Sequence, residues 1–572
     1  MKLLKFIPYI LLALPAIPEA QVAERFDLVI TEIMADPSPS IGLPNAEYIE
    51  VRNRSTKSIS LNGWKLGDAV ANGSISSSYI LKPDSIVILC ANSQVNNFSA
   101  FGKALGVTGF PSFDNDGDLI SLQSSEGKTI HAVAYSSLWF PNSLKKEGGW
   151  SLEMIDPDIP CTGEKNWTAS THIQGGTPGQ INSVDGTTID HDPPQLLRTY
   201  NKDSITFIAV FNESLDSASA SDFSNYSINN NMIISNAFPI APLFREVALQ
   251  LSAPLQTEKV YELLVRNVTD CMNNTIGVFN KTKAGLAIEA VPSDIVINEI
   301  LFNSKQGAYD FVELKNRSEK IIDASGIYIA NRNASGDVGS LKKASESKFN
   351  LYPGEHYVIT ENALSLGLNY FVKEPGCVFQ INTMPSYPDD KGTVIITNSQ
   401  GLILDEVQYS DKWHFALISN PEGVSLERLD TEKSSLDKFN WHSASYSSGF
   451  ATPTSVNSQA KQDINSNSGL VIHPEIFSPD SDGFDDMALI QYRLEEPGYV
   501  ANVIIFDVLG RPVRYLVKNG LTGLKGSWTW DGLNDKMEKL PVGSYIIYTE
   551  FFNLQGKKKH FRNSIALARM LK

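Results

Sequence analysis

Short runs rich in Val, Ile, Tyr and Phe recur every ten or so residues along this chain, between turns of Gly, Pro, Asn, Asp and Ser. Such spacing predicts short strands that bury one face against a second sheet, as in β-sandwiches. YILKPDSIVILCAN over 79–92 is a clear instance, with an apolar strand, a Pro-Asp turn and a second strand. Long amphipathic helical patterns are absent, so the expected fold class is all-β.

The pattern also repeats. Gly149 to Ser183 returns as Gly423 to Ser458, each with an S-L-E strand start, an Asn-Trp pair (Asn166-Trp167, Asn440-Trp441), a Thr-Pro (Thr177-Pro178, Thr452-Pro453) and a closing Asn-Ser. The copies are 274 residues apart at the Trp and 275 at the Pro. Chance does not hold that register. Upstream, LVITEIMADP around Glu32 matches IVINEILFNS around Glu299, and YIEVRN from Tyr48 matches FVELKN from Phe311. Two units result, 28–183 and 295–458.

The opening I-x-E-I (Ile30 to Ile33, Ile297 to Ile300), the stretch from Glu47 to Asn53 with its counterpart from Asp310 to Asn316, and the late S-L-E with Asn-Trp resemble the lamin tail domain. That family has an immunoglobulin-like sandwich and occurs in nuclear lamins and in secreted bacterial proteins of Bacteroidetes type. Between the repeats, Phe211 to Asp216, Phe223 to Tyr226 and Tyr261 to Asp270 look like the bacterial Ig-like domain of surface-layer proteins. After the second repeat, HPEIFSPDSDG, IIFDVLGR and WDGLNDKMEKLPVGSY resemble C-terminal Ig-like domains that often serve as sorting signals of the type IX secretion system. The expected organisation is a signal peptide at 1–20, lamin tail domains at 24–185 and 292–459, a bacterial Ig-like domain at 186–288, a linker at 460–470 and a sorting-like domain at 471–572. All are tandem immunoglobulin-like β-sandwiches.

Composition narrows the partners. MKLLK followed by FIPYILLALPAIP reads as a secretory leader, too short and Pro-interrupted to span a bilayer, and no later run reaches spanning length. The formal net charge of −16 falls to −17 once the leader is removed, which argues against nucleic acid or an anionic membrane as partner. It suits an extracellular protein, or one that binds divalent cations. Four cysteines are too few for a disulfide scaffold. A Cys90–Cys161 bridge within the first repeat and two buried thiols are the alternatives, while Cys271 and Cys377 would need domain contact to pair.

Catalytic motifs are missing from the sequence. The eight histidines form no H-E-x-x-H or H-x-H, no serine sits in G-x-S-x-G, and Gly127-Lys128-Thr129 lacks the upstream glycine of a phosphate loop. Glu32 with Glu50, and Glu299 with Glu313, resemble acid/base pairs, but a duplicated structural module favours turn caps or partners such as Arg52 and Arg317. Trp167 and Trp441 read as core residues rather than sugar-stacking platforms. The sharpest chemistry is Asp480-Ser481-Asp482-Gly483-Phe484-Asp485-Asp486, where four carboxylates around a glycine can converge on Ca²⁺. The expected metal ligands are Asp480, Asp482, Asp485 and Asp486, the alternative being a solvated acidic turn. Asp114 to Asp118 reads as a hairpin turn.

The sequence therefore predicts a non-catalytic exported protein of the cell surface or exterior, an adhesin or scaffold whose partner is a protein or glycan at the cell envelope. A secreted hydrolase accessory or a carbohydrate-binding protein is the alternative.

Overall fold

The computed structural model describes residues 21–461 and 468–569. The leader expected at 1–20, and residues 462–467 of the expected linker, lie outside the described residues. The chain forms two compact units, one ending at Pro254 but including Tyr261–Ala284, the other made of Leu255–Val260 and the chain from Gly285 on.

In the first unit, strand Leu28–Met34 is buried at every position and lies between Tyr48–Asn53 and Leu152–Met154. A central strand covered on both faces needs a nearly continuous apolar run, which LVITEIM supplies apart from Thr31 and Glu32. One face, with Leu28, Ile30 and Ile33, enters the main core beside Val51, Leu89 and Trp167. The other, with Met34 and Tyr48, is covered by Phe98 of the short helix Val95–Phe98.

Strict alternation would put Glu32 on the same face as Ile30. A register shift between them prevents this: Ile30 pairs with Val51 and Glu32 with Glu50, leaving Thr31 as the extra residue of a β-bulge. The bulge turns Glu32 away from the main core and sends Ile33 into it. In the second unit Ile295–Leu301 shifts register at the same place, between Ile297 and Glu299.

The two repeats share one strand order. In the first, Ala104–Thr108, Ile86–Ala91, Tyr48–Asn53, Leu28–Met34, Leu152–Met154 and Trp167–Ala169 follow one another across the sheet. In the second the row is Val378–Gln380, His356–Thr360, Phe311–Asn316, Ile295–Leu301, Leu426–Arg428 and Trp441–Ser443. Even the single parallel pairing, at the first two strands of each row, is kept. One difference is that Ser74 pairs with Thr108 and joins the facing strands into a ten-stranded sheet, whereas in the second repeat four facing strands stay separate.

The rest of the first unit holds a four-stranded sheet (Leu196–Asn201, Thr206–Phe211, Glu246–Leu251, Ile234–Ile240) and a three-stranded one (Tyr226–Ile228, Tyr261–Val265, Lys281–Ala284). Glu246–Leu251 alternates half-buried and buried positions without exception, as a strand with one face on a core must. The second unit ends in a three-stranded and a five-stranded sheet that enclose Trp530, Tyr499 and Phe551. The molecule is thus all-β, a tandem of Ig-like sandwiches.

Of the two alternatives for the cysteines of the first repeat, the Cys90–Cys161 bridge does not form, and of that pair only Cys90 is a free thiol. Cys161 bonds to Cys271, 110 residues away, with a Cα–Cα distance of 6.1 Å. Cys90 lies in a strand among Met34, Ile88 and Phe98 and stays a buried thiol. Burial without a charged partner pushes that thiol up to about 11, so it is a small core residue.

Candidate functional site

The bulged strands gather three glutamates in each repeat. Glu32 is opposite Glu50 on one side and Glu153 on the other, and Glu299 stands likewise between Glu313 and Glu427. All six are at most 1% exposed. Neither arginine expected beside them takes part, since Arg52 reaches Asp84 (3.8 Å) and Arg317 reaches Glu432 (3.3 Å).

The repeated Thr-Pro…Asn-Ser block supplies the partners instead, crossing the glutamates as a strap. Thr177 N–H donates to Glu32 Oε1 (2.8 Å), Thr177 Oγ1 to Glu153 Oε1 (2.9 Å) and Gly179 N–H to Glu50 Oε2 (2.7 Å). Ser183 Oγ and Val184 N–H donate to Glu153 Oε2 (2.8 and 3.2 Å). The second strap repeats this bond for bond: Thr452 N–H to Glu299 (2.9 Å), Thr452 Oγ1 to Glu427 (2.8 Å), Thr454 N–H to Glu313 (2.6 Å), and Ser458 Oγ and Gln459 N–H to Glu427 (2.8 and 2.9 Å). The bulge joins in. Thr31 Oγ1 donates to Glu50 (2.8 Å) and Asn298 Nδ2 to Glu313 (2.7 Å), while Asn182 and Asn457 each donate to the bulge carbonyl, at 2.8 and 3.0 Å.

Burial comes first in raising Glu32, Glu50, Glu299, Glu313 and Glu427; the charge of a neighbouring glutamate adds to it for all but Glu427, and the hydrogen bonds work against it. Glu32 is pushed up to about 7 and Glu299 to about 8, with Glu50 and Glu313 raised well above the ordinary range. The hydrogen count agrees. Thr452 Oγ1 lies 3.1 Å from Glu299 Oε2 and 2.8 Å from Glu427 Oε1, and one hydroxyl proton serves both only if a carboxyl is protonated and donates back. The bonds from strap to trio tie the end of each repeat to its sheet, and the trios act in this sense as locks.

The acidic turn forms in part as expected. Asp480, Asp482 and Asp486 bring carboxylate oxygens within 4.8 Å of one another. Asp486 accepts from the N–H groups of Asp480 (3.1 Å), Ser481 (2.6 Å) and Gly483 (2.9 Å), and Asp482 from Phe484 N–H (2.8 Å). Asp485 is not among the three. Its backbone is left-handed, at φ 49°, and its carbonyl accepts from Ser478 N–H.

Asp114 to Asp118 is a turn that leads into strand Gly117–Gln123 but joins no hairpin, because that strand pairs with Thr129–Ser136 and Lys65–Gly67. Trp167 and Trp441 are 5% and 4% exposed, too deep to stack on a sugar.

Sequence reasoning missed a third acidic group in the first unit. Asp190, Glu213 and Asp270, from three separate segments, also hold carboxylate oxygens within 4.8 Å of one another. Asp190 and Glu213 line a cavity of about 370 Å³ together with Trp139, Lys165 and Arg245.

These sheets and locks define a class, the tandem Ig-like sandwich protein. Residues 21–137 and 289–411 match the model of the Lamin Tail Domain. The third glutamate and the strap of each repeat lie beyond the matched residues. No curated protein matches the chain. Among solved structures, the S-layer protein rSbsC is 10% identical over 66% of this chain, with a TM-score of 0.16, and the chain spans 54% of its length. A DUF4876 family protein from Bacteroides thetaiotaomicron is 13% identical, covering 38% of this chain and 87% of its own (TM-score 0.16). PorZ of Porphyromonas gingivalis, a surface component of the type IX secretion system, is 10% identical, covering 95% and 100% (TM-score 0.17). At such scores these likenesses carry no functional argument. Among the described residues no helix is long and apolar enough to cross a membrane.

Proposed function

We propose that the chain is an exported, non-catalytic protein that works at the outer cell surface or outside the cell, as an adhesin or scaffold binding a protein or glycan of the envelope. One observation carries this reading: the carboxylates that sequence offers for acid/base work are buried, and each trio is taken up by its strap. What remains to meet a partner is loops on rigid sandwiches. The Cys161–Cys271 bond supports an oxidising compartment, independently of the leader. In the same reading the last sheets are the type IX sorting element, and Asp480, Asp482 and Asp486 bind Ca²⁺, whose charge offsets the repulsion between them.

Cell fractionation with surface proteolysis tests location: protease should reach the full-length protein on intact cells, and deletion of 471–572 should trap it in the periplasm. Full-length protein retained in the cytoplasm sinks the proposal. For the calcium turn, chelator should lower the melting temperature of the full chain, and Asp482→Ala should remove the part of that shift that belongs to the second unit. A second-unit transition indifferent to chelator leaves a solvated acidic turn.

A further inference from the structure

The cavity lined by Asp190 and Glu213 holds more negative charge than its surroundings balance. Asp190 belongs to the segment that enters the four-stranded sheet, Glu213 follows strand Thr206–Phe211, and Asp270 follows strand Tyr261–Val265. Glu213 is 6% exposed, and its one hydrogen bond is a 3.3 Å contact from Asn212 Nδ2 to Oε1. Oδ2 of Asp190 is buried with no hydrogen-bond partner. Asp270, wholly buried, is held in place by Met272 N–H (2.8 Å), Asn274 N–H (2.9 Å) and Asn274 Nδ2 (2.8 Å).

The neighbouring cations do not close the account. Lys165 is paired with Asp192, and Arg245 lines the cavity but forms no ion pair with Glu213. Glu164 adds one more carboxylate to the lining. Two cations therefore face five acidic groups, and Glu213 points a nearly bare carboxylate into the space. Burial, then Asp270 and Asp190, push Glu213 up to about 7.

We propose that Asp190, Glu213 and Asp270 bind a hard divalent cation of the Ca²⁺ type. The donor set is all oxygen, which excludes the softer transition metals that want nitrogen or sulfur. Three oxygens within 4.8 Å of one another lie no farther apart than the span of two Ca–O bonds of roughly 2.4 Å. The ion would tie the entering segment to the turn that carries Cys271, where Asn274 Nδ2 already donates to the carbonyl of Asp190 (3.2 Å).

Trp139 lines the same cavity and can sensitise Tb³⁺, a luminescent stand-in for Ca²⁺. The full chain carrying Asp482→Ala, which silences the acidic turn, is titrated with Tb³⁺ and then with competing Ca²⁺. We expect saturable luminescence that Ca²⁺ displaces, weakened at least tenfold by Glu213→Gln and by Asp190→Asn, and unchanged by Asp192→Asn. Circular dichroism reports folding, and if Glu213→Gln fails to fold, Asp190→Asn decides. No saturable signal, or binding untouched by Asp190→Asn, overturns the proposal and leaves a protonated carboxyl cluster.

Discussion

The two repeats build the same lock with different pieces, and the differences compensate one another. Tyr48 OH donates to Glu32 (2.8 Å) in the first repeat, where the strap passes as Gly176. A Cβ on Gly176 would stand 2.6 Å from Glu32 Oε1 and 2.7 Å from Tyr48 OH. In the second repeat Phe311 has no hydroxyl, and the strap carries Ala451, whose methyl packs in the cluster that contains Phe311. Each repeat therefore fills one space once, with a hydroxyl or with a methyl. A second difference is that Cys161 of the first repeat is bonded to Cys271, while the matching Ser435 Oγ hydrogen-bonds to Asp405 Oδ1 (2.5 Å) and to the Glu406 carbonyl (2.7 Å). The comparison teaches that the carboxylate lock is the constant part, and that what anchors around it is interchangeable.

The bridge should give the largest asymmetry. Cys271→Ser reopens a loop of 110 residues, and chain entropy alone predicts a loss of about 4–5 kcal/mol confined to the first unit. Denaturant unfolding with and without reductant measures it, and an equal loss in the second unit would break the comparison. Next comes the shared space. Gly176→Ala should cost about 2 kcal/mol through overpacking. Adding Tyr48→Phe, which recreates the second repeat's pairing, should recover part of that, whereas strictly additive losses would mean the two positions do not compete.

The smallest effect, taken per pH unit, is that of protonation. Glutamate in an unfolded chain titrates near 4.3, by the usual model value, and the folded values of Glu32 and Glu299 are raised to about 7 and about 8. A raised acid binds its proton more tightly when folded, so its contribution is full below pH ~4.3 and is lost as pH rises to the folded value. Both repeats should lose up to about 1.4 kcal/mol per pH unit per group over that window, the second continuing about one unit further. Hydrogen exchange at Thr177 and Thr452 from pH 5 to 9 reads each strap separately.

Much of this was legible in the sequence because the repeat preserved it. The S-L-E, Thr-Pro and Asn-Ser elements are the lock itself: the third glutamate and the strap. Their purpose was not legible, since period-two alternation puts Glu32 beside Ile30 and only the bulge at Thr31 separates them. The Cys161–Cys271 pair and the Asp190, Glu213, Asp270 group were hidden for another reason. Each joins segments far apart in sequence, and nothing local marks which distant strand ends meet.

The second strap has one further consequence, because it precedes the terminal sheets in the chain and Gln459 Nε2 donates to the Thr522 carbonyl there (3.0 Å). If the protein is tethered by its last domain, tension enters the repeat through Gln459 and Ser458. The bonds that meet that load are that of Lys461 N–H to the Leu429 carbonyl (2.8 Å) and then those to Glu427, deep in the sandwich, so the force peels the strap before it reaches any β-ladder. The lock is then the mechanical fuse of the second repeat, and its protonation sets the pull at which it gives.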